Sequence, residues 1–99
     1  MELENKIIVI TGAGSGIGRA LAIRFKAEGA RQIVAVDINP ENAQATATMI
    51  DGVAMTADVS SEDDIVRIIE YTEAEIGPID LFCSNAGVGL GPDLSSPNS

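Results

Sequence analysis

The hydrophobic positions of the chain fall into four short continuous runs, separated by longer and partly polar stretches. The runs, at 6–10, 32–37, 53–57 and 79–84, are rich in Ile, Val and Ala and scarcely alternate with polar residues. Continuous apolar runs of this length are typical of parallel strands that are buried on both faces. The pattern therefore predicts four strands of a parallel sheet that is covered on each side.

The stretch between the first two runs has the period of a helix. It extends from about residue 17 to residue 28, and Gly29 supplies the stop that commonly follows a helix. Apolar residues recur at every fourth position, with alanines on the neighbouring rows. The members of this predicted apolar face are Ile17, Ala20, Leu21, Phe25 and Ala27.

Two further helices have local start signals. Asn39 followed by Pro40 is a typical N-cap with proline in the first turn, and this helix should end before Gly52. Ser61 with Asp64 three residues later resembles a capping box with Asp in place of Glu. The stripe that follows Ser61 ends at Gly77-Pro78 and consists of Ile65, Ile68, Ile69, Thr72 and Ile76.

The resulting order, βαβαβαβ, has short connections throughout. Crossovers between parallel strands are almost always right-handed, and the first run is the most apolar, which favours the strand order 3-2-1-4. We therefore expect an α/β fold, a three-layer Rossmann-type doubly wound parallel sheet that is incomplete at one edge. Residues 1–87 should form the folded half-domain, and residues 88–99, rich in Gly, Pro and Ser, a loop or disordered tail.

Composition excludes several classes of function. The net charge is −9 with only six basic residues, so nucleic acid and anionic membrane surfaces are unsuitable partners. Cys83 is the single cysteine and there is no histidine, so we expect neither a disulfide nor a metal site. The first six residues are acidic, unlike a secretory signal, and no apolar run reaches 18 residues. A soluble cytoplasmic protein is the expectation.

The segment from Thr11 to Gly18 carries the strongest chemical signal. It places Gly12, Gly14, Gly16 and Gly18 directly between a strand and a helix, where glycines let a backbone approach a pyrophosphate. A glycine-rich turn without a ligand is the alternative, which the flanking strand and helix disfavour. The spacing departs from G-x-G-x-x-G and fits T-G-x-x-x-G-x-G.

That spacing resembles the short-chain dehydrogenase/reductase family, and three later positions agree with it. Asp37 ends the second strand, where a carboxylate can accept hydrogen bonds from both adenosine ribose hydroxyls. The resemblance implies that Asp58, followed by Val59, lies beside the adenine amino group. It also implies that Asn85 holds the central sheet together while the backbone of Ala86-Gly87 passes under the cofactor. Taken singly, each would be an ordinary strand end or turn.

The resemblance implies a nicotinamide dinucleotide as cofactor, and charge favours NAD over NADP. The ribose 2′-phosphate of NADP would lie beside Asp37, and two negative charges about 4 Å apart repel by roughly 1–4 kcal/mol. NADP-preferring relatives offset this repulsion with a basic residue at positions that are Ser15 and Ile38 here. The expected cofactor-binding residues are Gly12, Ser15, Gly16, Ile17, Gly18, Asp37, Ile38, Asp58, Val59, Asn85, Ala86 and Gly87.

Catalysis in the family uses a serine and a Tyr-x-x-x-Lys pair, and this sequence has no such pair. Tyr71 is the one tyrosine, and Glu75, four residues later, has the opposite charge to the expected lysine. We therefore expect no catalytic residue in these 99 residues, and expect the chain to be the N-terminal portion of a longer, homo-oligomeric oxidoreductase. A dinucleotide-binding module without chemistry and a truncated interaction protein are the two alternatives.

Overall fold

Strands and helices alternate along the chain in a computed structural model that describes residues 3–85. The elements are β1 (Ile7–Thr11), α1 (Gly16–Ala27), β2 (Gln32–Asp37), α2 (Pro40–Ile50), β3 (Val53–Thr56), α3 (Glu62–Glu75) and β4 (Leu81–Ser84). All strands are parallel, in the order β3-β2-β1-β4. The predicted α/β class and strand order are confirmed, and the predicted bounds of the strands differ from these by at most two residues.

The sheet lies between two helical layers. On one face Ile8 of β1 belongs to the same buried cluster as Ala22 of α1 and Ile50 of α2. On the other face Val9 of β1 is buried with Ile68 of α3. Consecutive residues of a strand point to opposite faces, so a strand covered on both sides needs apolar residues at every position. This explains why the strands are continuous apolar runs.

The apolar face predicted for α1 is partly wrong. Ile17 is 68% exposed, and Ala20 and Ala27 are also exposed, whereas Gly18 and Ala22 are buried. The first turn of α1 lies against the loop that follows β1, at a distance that only a residue without a side chain allows. Small residues therefore form the row of closest contact, while Leu21 and Phe25 pack at its side.

The predicted starts of α2 and α3 are confirmed by their caps. The side chain of Asn39 accepts from Asn42 N at 2.9 Å, and Ser61 Oγ accepts from Asp64 N at 3.3 Å. The reciprocal half of the capping box differs, because Asp64 Oδ2 accepts from Asp58 N at 2.8 Å. Asp is one methylene shorter than Glu, and the turn that precedes α3 brings the N–H of Asp58 within its reach.

The helices of residues 3–85 are short for a lipid bilayer. α3 is the longest of them with 14 residues, and none combines the length and the apolar content that crossing a membrane requires.

Candidate functional site

A cleft of about 300 Å³ lies where the carboxyl ends of β1, β2 and β3 meet. Its lining consists of the last residue of β2 and of residues that follow the three strands: Gly12, Asp37, Ile38, Ala57, Asp58 and Val59. The chain moves outward from β1 to β3 and then returns to the other side of β1, so the strand order reverses between β1 and β4. Ligands of doubly wound sheets bind outside the carboxyl ends of the strands at such a reversal.

The glycine loop between β1 and α1 has a steric reason for each of its three family-pattern glycines. Gly12 and Gly16 adopt positive φ of 66° and 56°, which residues with a Cβ rarely do. Gly18 is required by contact, because a Cβ there would meet Gly12 O at 1.9 Å. The loop is fixed to the sheet by Ala13 N, which donates to Val36 O at 2.9 Å.

The N-terminus of α1 differs from those of α2 and α3. Its N-cap, Ser15, is exposed and makes no side-chain capping bond, and the first turn of α1 contains no acidic residue. By contrast, α2 and α3 each have a capping side chain and acidic residues in the first turn. The first N–H groups of α1, at the positive end of the helix dipole, therefore have no capping side chain or acidic residue of α1 as a partner. They can instead bind an anion from outside the chain.

Asp37 is held by two main-chain donors. Its Oδ2 accepts from Gly14 N at 2.8 Å, and its Oδ1 accepts from Asn39 N at 3.0 Å. A Cβ on Gly14 would lie 2.6 Å from Asp37 Oδ2 and 2.7 Å from Asn42 Cβ. Gly14 occupies a variable position of T-G-x-x-x-G-x-G and was not among the expected contact residues. A fourth glycine in the loop was the signal that could have identified it.

Asp58 and Val59 line the cleft beyond the end of β3. Asp58 Oδ1 accepts from Ser60 Oγ at 2.6 Å and from Ser60 N at 2.9 Å. These bonds, the hydroxyl first, hold the pKa of the exposed Asp58 carboxyl below its ordinary value, because they stabilise the charged form. Ser60, which sequence patterns did not single out, thus orients the Asp58 carboxylate through two hydrogen bonds.

Replacing Ser60 by alanine is expected to raise the pKa of Asp58 toward its ordinary value, since the shorter of the two bonds is lost. The Ser60→Thr variant keeps a hydroxyl at the same position and should leave the pKa low. Titration of the Asp58 carboxyl carbon by NMR measures both. An unchanged pKa in the alanine variant would show that the Ser60 hydroxyl is not the cause.

Asn85 is tied to the strand reversal between β1 and β4. Its N–H donates to the hydroxyl of Thr11, a fully buried residue, at 3.0 Å, and that hydroxyl donates to Cys83 O at 3.4 Å. The connection uses the main chain of Asn85. Ala86 and Gly87 lie outside the described residues.

The remaining reactive side chains lie apart from the lining of this cleft. Tyr71 is 42% exposed on α3, and Cys83 is half-buried in β4, where burial raises the pKa of its thiol. Within residues 3–85 there is also no group of three His, Cys, Asp or Glu side chains that could hold a metal ion.

Known proteins share both the sequence pattern and the fold. A family described as short chain dehydrogenase matches residues 6–98. Tropinone reductase-like 1 of Erythroxylum coca is 40% identical over 94 residues, 93% of this chain and 34% of the relative. A solved hydroxysteroid dehydrogenase from Escherichia coli has a TM-score of 0.77 at 31% identity, over 82% of this chain and 36% of that chain. A solved structure described as ribose-5-phosphate isomerase from Brucella melitensis 16M has a TM-score of 0.82 at 31% identity, over 98% and 38%.

These comparisons agree on the family more firmly than on the reaction. The chain spans about a third of the length of the curated relatives it matches. A dehydrogenase and a protein described as an isomerase both share its fold, so the fold alone does not identify the reaction. The family match, by contrast, extends over nearly all of the sequence and includes the glycine loop. The chain therefore belongs to the short-chain dehydrogenase family, whose members bind nicotinamide dinucleotides.

Proposed function

We propose that this chain binds NAD and forms the cofactor-holding part of an oxidoreductase. The reaction of the whole enzyme is hydride transfer between NAD(H) and an alcohol or carbonyl substrate. The observation that carries the choice of cofactor is Asp37, whose carboxylate lines the cleft and is held there by two backbone donors. Bound NAD would supply the hydride acceptor, and the chain supplies its binding and orientation.

The cofactor fits the cleft in three parts. The free N-terminus of α1 takes the pyrophosphate, which approaches the backbone of Gly12, Ser15, Gly16, Ile17 and Gly18. Asp37 accepts hydrogen bonds from the adenosine ribose. Ile38, Asp58 and Val59 would hold the adenine, and a cleft of about 300 Å³ suits that half of a dinucleotide. The nicotinamide half would then be held on the side of the strand reversal where Asn85 lies.

Local charge supports NAD over NADP. Ser15 and Ile38, where a cation would have to balance a 2′-phosphate, are uncharged, and Ile38 is 67% exposed. The basic residue nearest the loop in sequence, Arg19, directs its Nε to Thr46 Oγ1 of α2 at 2.9 Å. A 2′-phosphate would therefore meet the Asp37 carboxylate without a compensating cation from these positions.

The sequence of 99 residues contains no Tyr-x-x-x-Lys pair. By itself the chain therefore holds a cofactor without the groups that would use it. If the chain acts alone, the missing pair favours a second candidate function, that of a non-catalytic dinucleotide-binding or interaction fragment.

Titration of the 99-residue chain with NADH, followed by nicotinamide fluorescence, is expected to saturate below about 1 mM. NADPH should bind about a hundredfold more weakly, because its 2′-phosphate is repelled by Asp37 and its ribose loses a hydrogen bond to that carboxylate. Alcohols and ketones added with cofactor should give no turnover. Equal affinities would contradict the choice of NAD, and turnover would contradict the absence of catalytic groups. Failure to bind at millimolar NADH would favour the interaction fragment.

A further inference from the structure

A continuous path of hydrogen bonds joins α2 to Asp37 through the glycine loop. Arg19 Nε donates to Thr46 Oγ1 at 2.9 Å, and the Thr46 hydroxyl donates to Ala13 O at 2.7 Å. Gly14 N then donates to Asp37 Oδ2 at 2.8 Å. Ala13 O and Gly14 N belong to one planar peptide unit, so the path is unbroken from a guanidinium to a carboxylate.

Every donor along this path points in the same direction, from the cation toward the anion. Hydrogen bonds in such a series polarise one another, and the two charged ends strengthen the terminal bonds. Thr46 is fully buried in the centre of α2, and its hydroxyl is both donor and acceptor there. Removing that hydroxyl would leave a carbonyl and a guanidinium without their partner.

The Thr46 hydroxyl acts on the orientation of the peptide group between Ala13 and Gly14. Ala13 N is already fixed to Val36 O at 2.9 Å, but Gly14 has no Cβ and its backbone rotates readily. If the Ala13–Gly14 peptide turned over, Ala13 O would face the Asp37 carboxylate and repel it. The bond from Thr46 opposes that rotation and keeps the Gly14 N–H directed at Asp37.

We propose that Thr46 is a positioning residue for the carboxylate that discriminates NAD from NADP. Its hydroxyl orients the Ala13–Gly14 peptide, which in turn holds Asp37 where the adenosine ribose binds. A buried residue of α2, outside the cleft lining, thereby determines cofactor specificity. This inference rests on the proposed function, in which Asp37 accepts from the ribose hydroxyls.

The Thr46→Val variant removes the hydroxyl with little change of volume. We expect its Kd for NADH to rise about tenfold, while the Kd for NADPH, which gains nothing from Asp37, changes much less. Thr46→Ser keeps the hydroxyl, so the ratio of its affinity for NADH to its affinity for NADPH should stay within about twofold of the original. Thr48→Val is the matched control, because the exposed side chain of Thr48 has hydrogen bonds only to Gln44, within α2.

A double-mutant cycle separates positioning from a general loss of structure. In the Asp37→Ala background, Thr46→Val should leave the NADH:NADPH ratio unchanged, because its target is gone. The proposal is overturned if Thr46→Val weakens both cofactors in the same proportion. It is also overturned if Thr46→Val lowers the NADH:NADPH affinity ratio equally in the original chain and in Asp37→Ala.

Two further measurements keep the test decisive. Hydrogen exchange of the Gly14 amide, without cofactor, should be about tenfold faster in Thr46→Val, and unchanged exchange would overturn the positioning role. If the original chain binds neither cofactor, the proposed function fails, and the exchange result still decides what Thr46 does to the loop. If Thr46→Val does not fold, Gly14→Ala displaces the same carboxylate through a contact of 2.6 Å. Its NADH:NADPH ratio must then fall for the proposal to stand.

Discussion

Replacing Asp37 by alanine is expected to lower the preference for NADH over NADPH by about a hundredfold. Repulsion between the carboxylate and a 2′-phosphate, about 1–4 kcal/mol, disappears for NADPH. NADH loses hydrogen bonds to a charged acceptor, about 1.5–3 kcal/mol each. Since about 1.4 kcal/mol corresponds to a factor of ten, the two effects together exceed what most single changes in a binding site produce. Parallel fluorescence titrations with NADH and NADPH measure the ratio.

Two variants show whether this effect is local. Asp37→Asn removes the charge but keeps an oxygen acceptor, so its ratio should lie between those of the original chain and Asp37→Ala. Glu70→Gln removes one charge from an exposed position of α3, and it should leave the ratio unchanged if net charge is unimportant. The assignment of Asp37 to the ribose would be wrong if Asp37→Ala left the ratio where it was.

Gly18→Ala is expected to cause the largest loss of stability among the Gly→Ala substitutions of residues 11–18. The added Cβ would lie 1.9 Å from Gly12 O, 2.7 Å from Gly12 C and 3.0 Å from Ala13 Cα. All three are backbone atoms, so α1 must move away from the loop that it packs against. The free energy of unfolding should fall by about 3 kcal/mol or more, out of a typical total of about 5–15 kcal/mol. Urea unfolding followed by circular dichroism measures the change.

Gly16→Ala is the matched control within the same loop. Apart from its chain neighbours and the backbone of its own helix, no atom lies within 4 Å of a Cβ on Gly16, so the main cost is the positive φ of 56°. That conformation costs about 1–2 kcal/mol for a residue with a side chain, less than the clash at Gly18. Equal losses for the two variants would show that close packing of α1 is not what Gly18 provides.

The secondary structure was predictable because its signals are local. The bounds of β2 agree with the predicted 32–37 at both ends, and α2 begins immediately after the predicted cap Asn39. The rest of the prediction depended on geometry that the apolar pattern does not contain. The pattern placed Ile17 on the covered face of α1, whereas the short distance between α1 and the loop selected Gly18 and Ala22 instead.

The sequence predicted the residues that line the cleft better than the residues that hold those side chains in place. Asp37, Ile38, Asp58 and Val59 lie at or just beyond the carboxyl ends of parallel strands, so their meeting at one edge of the sheet follows from strand direction. Ser60 had no comparable signal, because serine after an aspartate is common in turns.

The sequence by itself therefore determined the order of the elements, their caps and the glycine spacing that indicates a dinucleotide. Each of these depends on residues within a few positions of one another. Only the tertiary structure decided that Gly14 binds Asp37, 23 residues away, and that Thr46 binds Ala13, 33 residues away. The physical reason is that the crossover from β2 to β3 packs α2 against the loop after β1, and no periodicity along the chain indicates which atoms then meet.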